Sequence, residues 1–494
     1  MTNHTTNQDP RAKLLKTKSI LEHVFIHEQY YTDITLAAFA SRSHICLFGF
    51  RGSGKTHLME CLLKTIDPSV RAIAQGYLSA ELEDIFARPD IAKLIQGEEK
   101  VIFKKMVKAR IKAFDEIQRL GPGALSTLFR LLTTGTVLYL DQEEGVREFW
   151  VIATANPTEV GEDQLNIPIP EPLYDRFDAI LWVPIPKLHH LIKINGKVEE
   201  LKEAIPVIWS EQDLLRLWNE VKSVKLGPEL ELLITIMLRI LGFCRYAQDY
   251  DGSSLTEEQK RVLCSKCGNH YLCSLILRPP SVRAKMAWIK LAKGLAYLRG
   301  RDEVEMKDIE DAFPVVFYKR IKLMDEDNIP NKLMALRDLF EKLIRECMEA
   351  REAIELAKSL REKYSEEAYQ RLKRWKDAKA WITELVDEVD RHYLELKDKL
   401  LERMNIAEAK GDKVTMAKII ILAKKTLPRE MYRELADRLT VELELNSEVL
   451  ADLAKISKSL FSSAKEAYER GERTITLSGL EAASYILSEE GEKA

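Results

Sequence analysis

Two stretches carry residue types in an order that could handle a nucleoside triphosphate. The first is Gly49-Phe50-Arg51-Gly52-Ser53-Gly54-Lys55-Thr56, a G-x-x-x-x-G-K-T pattern that follows the apolar run Ile45 to Phe48. Glycine here lets the backbone wrap around phosphate oxygens that a Cβ would push away. The predicted cradle is Gly49, Gly52, Ser53, Gly54, Lys55, Thr56 and His57, opening a helix from His57 to Lys64 whose unpaired N–H groups and dipole favour an anion. Lys55 would neutralise the β- and γ-phosphates of ATP, and the Thr56 hydroxyl would face Mg²⁺. The second stretch, Ile111 to Glu116, reads as a strand ending in Asp115-Glu116, about sixty residues further on. At the carboxyl edge of a parallel sheet, Asp115 would join Thr56 in the Mg²⁺ shell, and Glu116 would polarise the attacking water. Each stretch alone could be an ordinary glycine turn or strand end. Their order and spacing weigh against that.

Two further groups of residues could do chemistry. Trp150 to Thr154 reads as a buried strand that ends in Ala155-Asn156-Pro157. The Asn156 amide both donates and accepts, which suits a residue that senses the γ-phosphate or orients water. Four of the seven cysteines, Cys244, Cys264, Cys267 and Cys273, fall close together with His270 among them. Cys264-x-x-Cys267 followed by Gly268 is a knuckle pattern, and four thiolates would close a structural tetrahedral Zn²⁺ site, with His270 as substitute for Cys244. Disulfides and free buried thiols are the competing readings.

The elements that must position these groups follow from the pattern. A chain of 494 residues should hold two to four domains. Residues 1–13 read as a disordered N-terminus. Leu14 to Ala40 reads as two helices leading into the first strand, and Val70 to Ala74 as the next strand. Arg110 and Lys112 are unusual inside the strand that ends in Asp115-Glu116 and mark it as less apolar than most. Gly121 to Leu132 reads as a helix, Gly135 to Trp150 as a hairpin, and Ile180 to Val183 as the last strand before Pro184 and Pro186. The predicted architecture is an α/β P-loop core with a parallel sheet over 14–186, a helical region with a Cys-rich insertion over 187–325, and an all-α C-terminal region over 326–494. In the last region Ile382, Leu385, Val389, Tyr393, Leu396, Leu400 and Met404 recur at helical spacing. Glu395 with Lys399 and Asp387 with Arg391 have the spacing of i,i+4 ion pairs.

Composition narrows the function classes. The net charge of −3 does not favour a nucleic-acid binder, and the basic cluster around Trp375 is diluted by acidic neighbours. The most apolar helical stretch, Leu232 to Phe243, is short and interrupted by Arg239, so no membrane span is expected. The polar N-terminus carries no export signal, so the expectation is a cytoplasmic protein.

Taken together, these motifs resemble the MoxR family of AAA+ ATPases, over roughly residues 20–320. The stretches that carry the resemblance are GFRGSGKT (49–56), FDEIQR (114–119), FWVIATANPTEVG (149–161), PEPLYDRFD (170–178) and SVRAKMAWIKLAKGLAYLRGRDEVEMKDI (281–309). The resemblance implies five parallel strands, a helical lid and a homo-oligomeric ring, usually of six subunits. It implies Asn156 as sensor 1, Arg176 as the arginine finger offered to a neighbouring subunit, and Arg283 as the sensor 2 arginine of the lid. The bland alternative for Arg176 is a salt bridge with Asp175 or Asp178. Hairpin 135–150 looks like the helix 2 insertion that marks this clade. The chain departs from the family at Arg51, where proline is usual, and at Val282 in the sensor 2 stretch.

The implied function is Mg²⁺-dependent ATP hydrolysis that remodels or assembles a protein partner, one carrying a von Willebrand A domain by family analogy. The alternative is a DNA-acting motor or loader, and the acidic residues Asp141, Glu143, Glu144 and Glu148 of the hairpin count against it. A nucleotide-dependent scaffold without turnover would not need Glu116 and Arg176.

Overall fold

A computed structural model describes residues 9–77, 80–157, 169–194, 197–242, 272, 275–329, 331–376 and 378–492. The described residues fall into two compact units, divided between Arg345 and Glu346.

The first unit is built on a five-stranded parallel sheet. Its strands are β1 (Ile45–Phe48), β2 (Arg71–Gln75), β3 (Ile111–Asp115), β4 (Trp150–Ala155) and β5 (Ala179–Trp182), in the spatial order β2-β3-β4-β1-β5. All residues of β1, β3 and β4 are buried, as expected for central strands covered by helices on both faces. The register puts Asp115 at the end of β3 beside Thr154 of β4, because Phe114 lies opposite Ala153. Leu47 of β1 lies opposite the same Thr154. The carboxyl ends of three central strands therefore meet at one point, the usual ligand edge of an open α/β sheet.

Helices α1 (Pro10–Val24) and α2 (Gln29–Ala40) precede β1, and α3 (Lys55–Lys64) follows it. Tryptophans fix this layer: Trp150 Nε1 donates to Ser43 O at 2.6 Å, and Trp209 Nε1 donates to the Thr17 hydroxyl at 2.9 Å. Helix α4 (Pro122–Thr134) begins with proline at its first turn and stops at Gly135, whose left-handed backbone ends it. Two lid helices, α5 (Arg283–Leu298) and α6 (Met306–Phe317), pack through Trp288, Phe313 and Phe317. Helix α5 crosses α2 at Gly294, where an added Cβ would sit 2.2 Å from Ala37 O.

The structure corrects several expectations. The strands of the hairpin near 135–150 are Thr136–Tyr139 and Gln142–Gly145, so it ends at Gly145, and Trp150 opens β4. This hairpin follows β3 and α4, so it is not an insertion between β2 and β3. That interval carries a second hairpin, Ala87–Pro89 with Val101–Phe103, whose strands of three residues are too short to leave an alternating pattern in the sequence. The third strand is no less buried than its neighbours, since Lys112 lies wholly inside and Arg110 precedes the strand.

The C-terminal part differs too. The first unit extends to Arg345, past the expected boundary at 325, because Leu336, Leu339, Phe340 and Leu343 are buried and Phe340 packs on Phe313. The second unit is mostly helical, with a 30-residue helix at Ala380–Ala409 as its longest described element. It is not all-α: Thr440–Glu444 and Thr474–Ser478 pair as an antiparallel ribbon. Asp387 pairs with Lys376 and Arg391 with Glu388, in place of the Asp387–Arg391 pair. Two of the basic residues around Trp375 are matched as well, Arg371 by Glu352 and Lys373 by Asp390.

Candidate active site

The loop between β1 and α3 has the shape the glycines require. A Cβ at Gly49 would lie 2.3 Å from Val183 O, and Gly54 has φ +88°, a left-handed conformation that opens α3. Ser53 and Lys55 are buried, while Gly52 and Arg51 are exposed at the tip. The Lys55 ammonium donates to Gly49 O at 2.8 Å and Phe50 O at 2.7 Å, so it is folded back over its own loop. Burial pulls its pKa below the ordinary lysine value, and Asp115 opposes that shift. His57 turns away from the loop tip and bonds Val24 O at 2.9 Å through Nε2.

Asp115 is the centre of the site. Its Oδ1 accepts from the Thr56 hydroxyl at 2.8 Å and from the Thr154 hydroxyl at 2.5 Å. The Thr154 oxygen in turn accepts the backbone N–H of Glu116 at 2.8 Å. One threonine thus fixes both carboxylate residues, and a second links Asp115 to the P-loop. Glu116 itself has φ +53°, a strained value for a side chain of this size, which turns the chain sharply off β3. Its carboxylate is paired with Arg119 at 2.9 Å. The Thr56–Asp115 pair offers two hard oxygen ligands at the mouth of a phosphate cradle, which fits a Mg²⁺ ion that also touches phosphate. Among the described residues no cluster of three or more His, Cys, Asp or Glu could hold a metal.

Asn156 follows β4 directly, and its backbone N–H donates to the Gln118 amide oxygen at 3.3 Å. Arg176 lies in the turn before β5. Its guanidinium sits over the Phe129 ring at 4.7 Å, and its buried Nε has no hydrogen-bond partner among the described residues. Asp175 and Asp178 do not pair with it: Asp175 takes Arg320 and Arg283, and Asp178 takes Lys290. Arg283 is therefore held at the turn that carries Arg176, 3.3 Å from Asp175, with its side chain more than half exposed.

Residues 44–177 match the AAA domain family of the dynein-related subfamily, and residues 277–334 match the AAA lid domain. The chain carries an AAA domain and its lid. The uncharacterized protein YeaC of Bacillus subtilis is 23% identical over 325 residues, which is 65% of this chain and 90% of that protein. An uncharacterized protein of Staphylococcus aureus is 26% identical over 224 residues, 41% of this chain and 81% of its own length. The crystal structure of a candidate ATPase from Cytophaga hutchinsonii superposes with a TM-score of 0.53 at 22% identity, covering 68% of this chain and 94% of that one. That likeness is one of fold.

The structure brings Thr56 and Asp115 into contact, and the sequence pattern singled out both, with Glu116 and Asn156. It missed Thr154, Gln118, Arg119 and Arg320. Thr154 stood within the quoted ATANP run, and Gln118 and Arg119 within FDEIQR, so position beside a motif was the available signal. Arg320 had none. Cys244, Cys264, Cys267, Cys273 and His270 lie outside the described residues. Among the described residues no helix is long and apolar enough to cross a membrane.

Proposed function

We propose that this AAA+ ATPase hydrolyses ATP with Mg²⁺, assembles as a homo-oligomeric ring of MoxR type, usually six subunits, and uses turnover to remodel or assemble a protein partner. The observation that carries the reading is the shared acceptor: Thr56 and Thr154 both donate to Asp115 Oδ1, with Glu116 the next residue. Mg²⁺ held by Thr56 and Asp115 would supply charge neutralisation at the phosphate oxygens. Lys55 exchanges the carbonyls of Gly49 and Phe50 for phosphate oxygens. Glu116, once parted from Arg119, polarises the attacking water, and Asn156 orients it. Arg176 reaches the neighbouring subunit's phosphates, a contribution of about 10³ to 10⁵ in rate where such fingers act. That Asp175 and Asp178 pair with other cations, and not with Arg176, supports that role. Arg283 would reach its own subunit's nucleotide as sensor 2 only after leaving Asp175.

The partner class, a protein with a von Willebrand A domain, is proposed from the family resemblance alone. Action on DNA is disfavoured by Glu143 and Glu144 on the hairpin after α4. The deciding experiment measures ATP turnover with and without Mg²⁺ in the wild type and in Glu116→Gln. Turnover that needs Mg²⁺ and disappears in the variant supports the reading, and turnover that survives in Glu116→Gln overturns it. A structural zinc on the cysteine quartet is a separate proposal resting on sequence spacing. About one zinc per chain, lost with Cys267→Ser, would support it. Thiols that titrate only after reduction would replace it with disulfides.

A further inference from the structure

Arg320 is a charged residue with almost no access to water, at 5% exposure. It lies just past α6, on the lid side of the first unit, and all five of its N–H donors are engaged. Nη1 donates to Val316 O at 2.8 Å and Asp178 O at 2.9 Å. Nη2 donates to Asp175 O at 2.9 Å and Phe177 O at 2.7 Å. Nε donates to Asp175 Oδ1 at 3.1 Å. Five donors in a planar fork are the full capacity of a guanidinium, and no other side chain could satisfy these acceptors. Four of the five bonds go to the turn 175–178, whose remaining member is Arg176.

The contrast with Arg176 is the informative part. Arg320 fixes the carbonyls on both sides of Arg176, while among the described residues Arg176 has no carboxylate partner and rests on Phe129. The backbone is immobilised and the guanidinium is left available. Two more lid residues reach the same turn: the Ser281 hydroxyl donates to Asp175 at 2.8 Å, and Arg283 pairs with it at 3.3 Å. Lys290 of α5 holds Asp178 at 2.7 Å. The finger turn is thus tied more firmly to its own lid than an ordinary surface turn would be.

We infer that Arg320 is a positioning residue for Arg176, transmitting the placement of one subunit's lid to the arginine that the subunit presents to its neighbour. The inference rests on the proposed role of Arg176 in trans. Arg320 does not touch nucleotide. It sets where the finger stands, and a displacement of about 1 Å there would cost on the order of 10²-fold in turnover.

The test uses the full chain and mixed rings. Arg320→Lys and Arg320→Gln are made, and the variant with the higher thermal midpoint is carried forward. Alone, it should lower kcat about 10²-fold with the KM for ATP unchanged. Mixed with Lys55→Ala subunits it should regain activity, because those subunits supply a well-placed finger to its intact P-loop. Mixed with Arg176→Ala subunits it should stay inactive, because neither partner then presents a good finger. Recovery with Arg176→Ala, absence of recovery with Lys55→Ala, or a wild-type kcat in the variant alone overturns the inference. The control is a mixture of Arg176→Ala with Lys55→Ala. If that fails to recover while mixed rings form, the trans role of Arg176 is wrong, and the inference falls with it for a separately identified reason.

Discussion

Thr154 donates its hydroxyl to Asp115 Oδ1 at 2.5 Å and accepts the Glu116 N–H at 2.8 Å. A single side chain from β4 therefore orients both acidic residues at the end of β3. Thr154→Val keeps the shape of the strand but removes both bonds. The expected outcome is a fall in kcat of about 10- to 100-fold, with nucleotide affinity reduced less. Thr154→Ser should retain most activity, because the hydroxyl is what matters. Steady-state ATPase assays with nucleotide titrations check both.

Lys55 and Glu116 should separate binding from turnover. Lys55→Ala removes the main counter-charge for the phosphates, and a fluorescent ATP analogue should no longer bind. Glu116→Gln keeps the shape of the carboxylate and loses its basicity, so ATP should bind and persist. A Lys55→Ala chain with wild-type affinity would sink the assignment of the loop.

Arg119 holds the Glu116 carboxylate at 2.9 Å, in a pair that the attacking water would have to displace. Removing it with Arg119→Ala frees the glutamate. The expectation is a basal kcat raised by up to about 5-fold, the rate equivalent of the roughly 0.2–1 kcal/mol that a partly exposed pair is worth. A kcat that falls instead would make Arg119 a required support of Glu116.

Lys112 should make stability depend on pH. It is fully buried in β3, and its ammonium donates to Met106 O, Val107 O and Ala109 O at 2.7, 2.8 and 2.5 Å, at the end of the short helix Lys105–Lys108. Burial pushes its pKa down to about 7, with Arg110 adding to the shift. An unfolded lysine titrates near 10.4, roughly, so between these values the unfolded chain binds more protons than the folded one. Stability should therefore rise as pH increases from about 7 towards 10. It should be flat in this respect below 7, where both states are protonated. Urea midpoints across this window should show the rise in wild type and not in Lys112→Met. That variant should also lose about 1–3 kcal/mol for each carbonyl left without a partner.

A chain ending after Arg345 should still bind nucleotide, because the first unit closes there. One ending at Asp325 should not be stable, since it lacks the buried Leu336, Leu339, Phe340 and Leu343. Nucleotide binding lost in the longer fragment, with its far-UV circular dichroism intact, would count against the division.

What the sequence determined by itself was chemistry that is local along the chain. A phosphate cradle is made by consecutive residues, so Gly49 to Thr56 announced both the loop and its ligand, and strand ends at Asp115 and Asn156 could be read from apolar runs that stop. The helical stripe of residues 382–404 was legible for the same reason, since its period is written in neighbouring residues. Tertiary structure alone decided the partners across long intervals. Thr154 meets Asp115 only because β4 lies beside β3 in register, and Arg320 reaches turn 175–178 only because the chain after α6 returns to that turn beside β5. Lys112 looked like a polar intrusion into a strand until a helix end supplied three carbonyls to it. The short hairpin strands at 87–89 and 101–103, and the ribbon at 440–444 and 474–478, carry too few residues for a period of two to stand out. Hydrogen bonds between distant segments are selected by the order in which strands assemble, and no local pattern of residues records that order.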